Sequence, residues 1–195
     1  YAGVSAPGTS LYFPYVSRVV NVRFSTVTIQ NAGTGNAAIQ VNYYDSNGNL
    51  IAGPYADTIG EGRSKTYDLS TPGGNVPNLP SPFNGAVVVT ADKSLAGTVT
   101  THWKYYSSAY EGFSGGSNVQ YLPSAYRKNR FDIGMGWIRH SNILVQNLSG
   151  SAADVDIDFY KTGETVSKLH LDDTIPANSS HEDNTRFGTP GLFAP

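Results

Sequence analysis

The residues able to do chemistry are few and scattered along the chain. Four histidines stand at His102, His140, His170 and His181, and no HxH, HExxH or His/carboxylate spacing sets two of them on one face as metal ligands. They read as separate polar side chains. The acids are better grouped: Asp154, Asp156 and Asp158 alternate, and Asp172 and Asp173 are adjacent. Calcium wants several oxygens converging from a loop, whereas alternating Asp residues offer a row and not a cage. Asp45, followed by Ser46, Asn47, Gly48 and Asn49, has something of a calcium loop, but it lacks the downstream Glu and serves equally as a hairpin turn. No pair of acids can be assigned to glycoside hydrolysis from the sequence, because any two on a β-fold could be suitably spaced. No cysteine is present, no GxSxG elbow occurs, and Gly134, Met135 and Gly136 do not extend to GxGxxG. Catalytic residues, metal ligands and cofactors are therefore not expected.

Two other residue groups carry possible function. Asn147-Leu148-Ser149 and Asn178-Ser179-Ser180 match the N-glycosylation acceptor pattern, which makes Asn147 and Asn178 candidates on an exposed face. Aromatic rings crowd one segment at Trp103, Tyr105, Tyr106 and Tyr110, and Trp137 lies further on. Such rings pack between modules, stack on sugars or form subunit contacts.

The elements that must position these residues are short strands. In AIQVNYY, Ile39, Val41 and Tyr43 alternate with Gln40, Asn42 and Tyr44; in DVDIDFY, Val155, Ile157 and Phe159 alternate with the three Asp residues. Three carboxylates do not enter an apolar core unpaired, so the apolar row faces inward. Further strands are expected at 11–15, 26–30, 63–69, 86–90 and 97–103, the last two forming a hairpin. No stretch keeps a helical apolar period for three turns.

The pattern is stated twice. Tyr1, Gly3, Ser5, Tyr12, Pro14 and Arg18 return 109 residues later as Tyr110, Gly112, Ser114, Tyr121, Pro123 and Arg127. Beyond an insertion within 128–140 the offset becomes 116, which places Ser25, Val27, Ile29, Gln30 and Asn31 on Ser141, Ile143, Val145, Gln146 and Asn147. Shared alternation and turn residues indicate a repeated fold and not a duplicated active site. The expected organisation is all-β: two tandem immunoglobulin-like β-sandwich modules, 1–109 and 110–195, with residues 110–115 as the linker between them.

Composition limits the partners. The chain has 195 residues, room for two domains of about 100. Charged residues make up 14%, and the net charge is −2. The only basic cluster is Arg127, Lys128 and Arg130, too little to mark a nucleic-acid or anionic-membrane surface. The longest unbroken apolar runs are about four residues, as at Ala86 to Val89, so no membrane insertion is expected. The absence of cysteine is compatible with secretion, and the start at Tyr1 in place of Met is expected of a processed chain.

The succession YLP…SxIxVQN…AxVxVxYY…DTI…FxGAVVV…LAG resembles the tandem sandwich repeats of secreted bacterial cell-surface proteins. The resemblance implies an extracellular structural or adhesive array and brings no catalytic residues. The second copy reaches Leu192 and Phe193, the counterpart of the segment before Ala86, without the two closing strands. In the first copy Val87, Val89, Leu95 and Val99 of those strands contribute about 6–12 kcal/mol if fully buried, against the roughly 5–15 kcal/mol that stabilises a whole domain. A module lacking them has an open edge near Leu192 and Phe193. It belongs to a longer array, or a neighbouring chain donates a strand to it. The expected function is a subunit of an extracellular filament, stalk or surface layer, whose partners are copies of itself or further modules. The alternative is an adhesin or carbohydrate-binding module that meets surface glycans through its exposed Trp and Tyr residues.

Overall fold

The computed structural model describes residues 6–74, 76–105, 107–125, 127–130 and 137–185, without the side chains of 127–140 and 184. All regular structure among them is β: β1 (Gly8–Val19), β2 (Arg23–Asn31), β3 (Ala37–Asp45), β4 (Leu50–Ile59), β5 (Ser64–Asp68), β6 (Phe83–Trp103) and β7 (Ser107–Glu111), then β8 (Arg127–Arg130), β9 (Trp137–His140), β10 (Asn142–Gln146), β11 (Ala153–Tyr160), β12 (Ser167–Ile175) and β13 (Ser180–Asn184). No helix among them is long and apolar enough to cross a membrane.

The first seven strands form one curled antiparallel sheet built around β6. The first half of β6 lies between β1, which meets it over Phe83–Thr90, and β3, which meets it over Gly85–Ala91. Its second half lies between β2, over Leu95–Trp103, and β7, over Thr98–His102. A single strand thereby serves both flanks of the curl. The odd-numbered residues Val87, Val89, Leu95 and Val99 all enter the core, which they share with Leu11, Phe13, Ile29, Ile39, Val41 and Tyr43.

This overturns the hairpin expected between 86–90 and 97–103. The segment Ala91-Asp92-Lys93-Ser94 has no glycine or Asn-Gly pair to supply the positive φ of a tight turn. The inward phase also never slips across it, so the strand continues extended. Asp92 instead accepts a hydrogen bond from the Ala38 amide at 2.8 Å, and the Ser94 carbonyl accepts one from Ala32 at 2.9 Å.

The linker expected at 110–115 is likewise replaced by structure. Strand β7 crosses the 109/110 boundary on its ladder with β6, Gly112 donates to the Gly97 carbonyl at 2.9 Å, and Phe113 exchanges hydrogen bonds with Tyr12. The alternation in SSAYE is too short to stand out from linker composition, and pairing to β6 makes it a strand. Leu192 and Phe193 lie outside the described residues.

Candidate strand-acceptor site

Asn31 and Asn147 anchor equivalent corners of the two copies. Both are buried at strand ends, Asn31 fully and Asn147 to 7% exposure. The Asn31 side-chain amide donates to the Gly35 and Ile59 carbonyls at 2.7 and 3.0 Å, and its Oδ1 accepts from the Gly33 amide at 2.9 Å. Shifted by 116 residues, the Asn147 amide donates to Ser151 and Ile175 at 2.7 and 2.9 Å, and Oδ1 accepts from Ser149 at 2.9 Å. Both protons of the Asn147 amide are thus engaged, which argues against a glycan on that nitrogen in the folded chain. Asn178 is a turn residue with φ 60°, standing where the first copy has Gly62 at φ 64°; Asn is among the few side chains that tolerate this region.

The strand registers repeat as faithfully as these corners. Val27 faces Tyr67 and Ile29 faces Lys65 in β2–β5, while Ile143 faces Asp183 and Val145 faces His181 in β10–β13. Ile39 faces Asp57 and Val41 faces Tyr55 in β3–β4, while Val155 faces Asp173 and Ile157 faces Leu171 in β11–β12. Even a polar side-chain pair recurs: Lys65 bonds Asp57, and at the matching positions His181 Nδ1 lies 2.8 Å from Asp173.

The copies differ in what lies beside these ribbons. In the first, β6 pairs with both β2 and β3. In the second, β10–β13 and β11–β12 are separate two-stranded ribbons, and among the described strands none occupies the position of β6. Burial differs accordingly. Ile39, Val41 and Tyr43 are 2%, 1% and 0% exposed, whereas their counterparts Val155, Ile157 and Phe159 are all half-buried. The result is an apolar inner face with one edge of β11 and one of β10 outside any described ladder.

The outer face of β11–β12 carries charge. His170 on β12 joins the Asp row of β11: its Nδ1 is 3.1 Å from Asp158, and its Nε2 is 2.7 Å from Asp172 and 4.0 Å from Asp156. Hydrogen bonding to Asp158 and then to Asp172 holds the His170 imidazolium above the usual histidine range. Bonds from Ser167 and His170 hold the Asp158 carboxyl below its usual range. Ligand atoms of Asp156, His170 and Asp172 lie within 4.8 Å of one another, so these three could share a cation. His170 and Asp172 share one face of β12 two residues apart, whereas Asp156 joins them from β11, a contact the linear sequence hides. The corresponding first-copy positions, Gln40, Pro54 and Ala56, carry no charge.

Among the described residues, the aromatic candidates Trp103, Tyr105 and Tyr110 do not form a row. Trp103 ends β6 half-buried, whereas Tyr105 is 81% exposed with Lys104 Nζ 5.1 Å from its ring centre. Tyr110 turns inward against the core, its hydroxyl donating to the Tyr15 carbonyl and accepting from the Tyr15 amide. Tyr106 and the Trp137 side chain lie outside the described residues. His102 stacks on Phe24 at 4.9 Å between ring centres.

No protein-family model matches the chain, and no curated protein matches it. Among solved structures, the crystal structure of Thermotoga maritima 1070 is 13% identical, over 55% of this chain and 94% of that one, with a TM-score of 0.43. The Anabaena sensory rhodopsin transducer is 23% identical, over 50% of this chain and 99% of that one, with a TM-score of 0.40. Neither likeness is close enough to carry a functional inference.

Proposed function

We propose that this chain is a secreted structural protein. In this reading it is a building unit of an extracellular filament, stalk or surface layer made of tandem immunoglobulin-like sandwich copies and joined by strand complementation. One observation carries the reading. Two ribbons keep the register of the first copy, yet among the described residues the position of its central strand is filled only in that first copy. An open β-edge beside an apolar face is the kind of surface that strand addition completes: main-chain hydrogen bonds supply affinity, and alternate side chains supply specificity. Such a unit resists extension along its own ladder, which β6 carries through 21 residues in the first copy.

Electron microscopy of cell surfaces and shed material, with antibody labelling of this chain, tests the proposal. Labelled fibres, stalks or ordered layers are expected. Label found only on dispersed single particles, on cells and in the medium alike, overturns it.

A further inference from the structure

The duplication specifies the character of a strand that would pair beside β10 and β11, an inference that rests on the strand-complementation reading. Because the ribbons retain their register across 116 residues, each acceptor residue inherits the neighbour its counterpart has in the first copy. Tyr43, Val41 and Ile39 face Val87, Val89 and Ala91. Ile157 and Val155 therefore call for apolar side chains at the positions of Val89 and Ala91. Val27 faces Val99 and Ile29 faces Gly97. Ile143 and Val145 accordingly call for an apolar residue and a small one. At Gly97 a Cβ would come within 3.0 Å of the Thr28 carbonyl, which is why the small residue belongs there.

The outer face adds a charge requirement. In the first copy Asn42 faces Val88 and Gln40 faces Thr90, all uncharged. In the second copy these acceptor positions are Asp158 and Asp156, with Asp154 and Asp172 beside them. Pairing β11 edge to edge with β11 of a second copy would bring two such rows together, and like charges facing across strands destabilise a sheet. Opposite charges there stabilise it. An acidic edge also discourages self-association.

We infer that the β10/β11 edge of the second copy accepts one extended peptide strand that has the inward apolar pattern of Phe83–Trp103 and carries Lys or Arg at the positions facing Asp156 and Asp158. Two acceptor rails, each in a ribbon that keeps its first-copy register, make the site long and select for sequence. The acidic row sets the sign of the charge on the strand that fits.

Synthetic peptides of the 83–103 sequence provide the test, with residues 88 and 90 both Lys, both Glu, or native. Binding to the full chain is followed by fluorescence anisotropy. The Lys peptide is expected to bind about tenfold more tightly than the Glu peptide at low salt, as two reversed cross-strand charge pairs would give, and high salt should shrink the difference. Register is read by disulfide trapping, which is clean because the chain has no cysteine. Tyr44 faces Ala86 in the first copy, so Tyr160→Cys should cross-link to a peptide carrying cysteine at position 86 and not at 84.

Equal or tighter binding of the Glu peptide, or cross-linking at position 84, overturns this inference and leaves strand complementation standing. Tyr160→Cys homodimers with no peptide binding also overturn it, in favour of a second copy at this edge. If no peptide binds and the β11 amides are already protected from hydrogen exchange, both this inference and the proposed function fall.

Discussion

At the scale of single residues, buried polar groups separate those that hold the fold from those that burden it. Asn31 satisfies two carbonyls and one amide at a corner sealed from water. Asn31→Ala leaves those groups buried without partners and is expected to cost about 2–4 kcal/mol, measured by urea unfolding. Tyr43 is the opposite case: its hydroxyl is buried without a hydrogen-bond partner among the described residues, and burial raises its pKa far above the usual tyrosine range. The second copy has Phe159 at that position. Tyr43→Phe should therefore raise stability by about 1 kcal/mol in the same assay. His170 is exposed, so its pairings with Asp158 and Asp172 show in titration more than in stability. Its NMR midpoint should lie above the ordinary 6.5, and Asp158→Asn should lower it. Its raised pKa means that its contribution is complete below pH 6.5 and lost as pH rises through the folded value. The depressed pKa of Asp158 gives a contribution present above 3.8 and lost as pH falls through the folded value.

At the scale of elements, β6 decides the first copy, and its glycines show how closely it is held. A Cβ on Gly85 would lie 2.0 Å from the Tyr44 carbonyl oxygen, an atom of the adjoining strand backbone. Neither side can retreat, since β6 is pinned between β1 and β3 at this point. Gly85→Ala is expected to destabilise the fold by at least about 1–3 kcal/mol. Gly115→Ala, where an added Cβ meets nothing within 4 Å, should leave stability nearly unchanged. Differential scanning calorimetry of the two variants makes the comparison. The alternation of β3 and β11 was legible in the sequence because Ile39-Val41-Tyr43 and the interleaved Asp row of the second copy admit one inward phase. The continuity of β6 was not, because Asp92 and Lys93 look like a polar turn until β1, β2 and β3 are seen to pair on either side of them.

At the scale of the whole molecule, the described residues of the two copies share a plan but not a core. The main buried cluster runs from Leu11 to Val99 and draws only on the first copy. In the second, Ile143, Ile175 and the Asn147 corner are buried, but the inner face of β11 is only partly covered. Local opening is easiest where few apolar contacts and isolated ladders hold the backbone. Hydrogen exchange should therefore show β1, β2, β3 and β6 opening only near the global unfolding energy. The amides of β10–β13 and β11–β12 should exchange at least about a hundredfold faster. Uniform protection across both copies would contradict this picture.

The all-β character, the duplication and its offset, the inward phase of the paired strands, and the turn chemistry that lets Asn178 stand for Gly62 are all present in the order of residues. Those properties are local, written in alternation and in side chains that tolerate positive φ. Folding in three dimensions was needed to establish that 83–103 is one strand, that 107–113 belongs to the first sheet, that Asn147 is an internal anchor, and that His170 meets Asp158. Each of these depends on which strand lies beside which, and pairing between distant segments leaves no trace in the spacing along the chain.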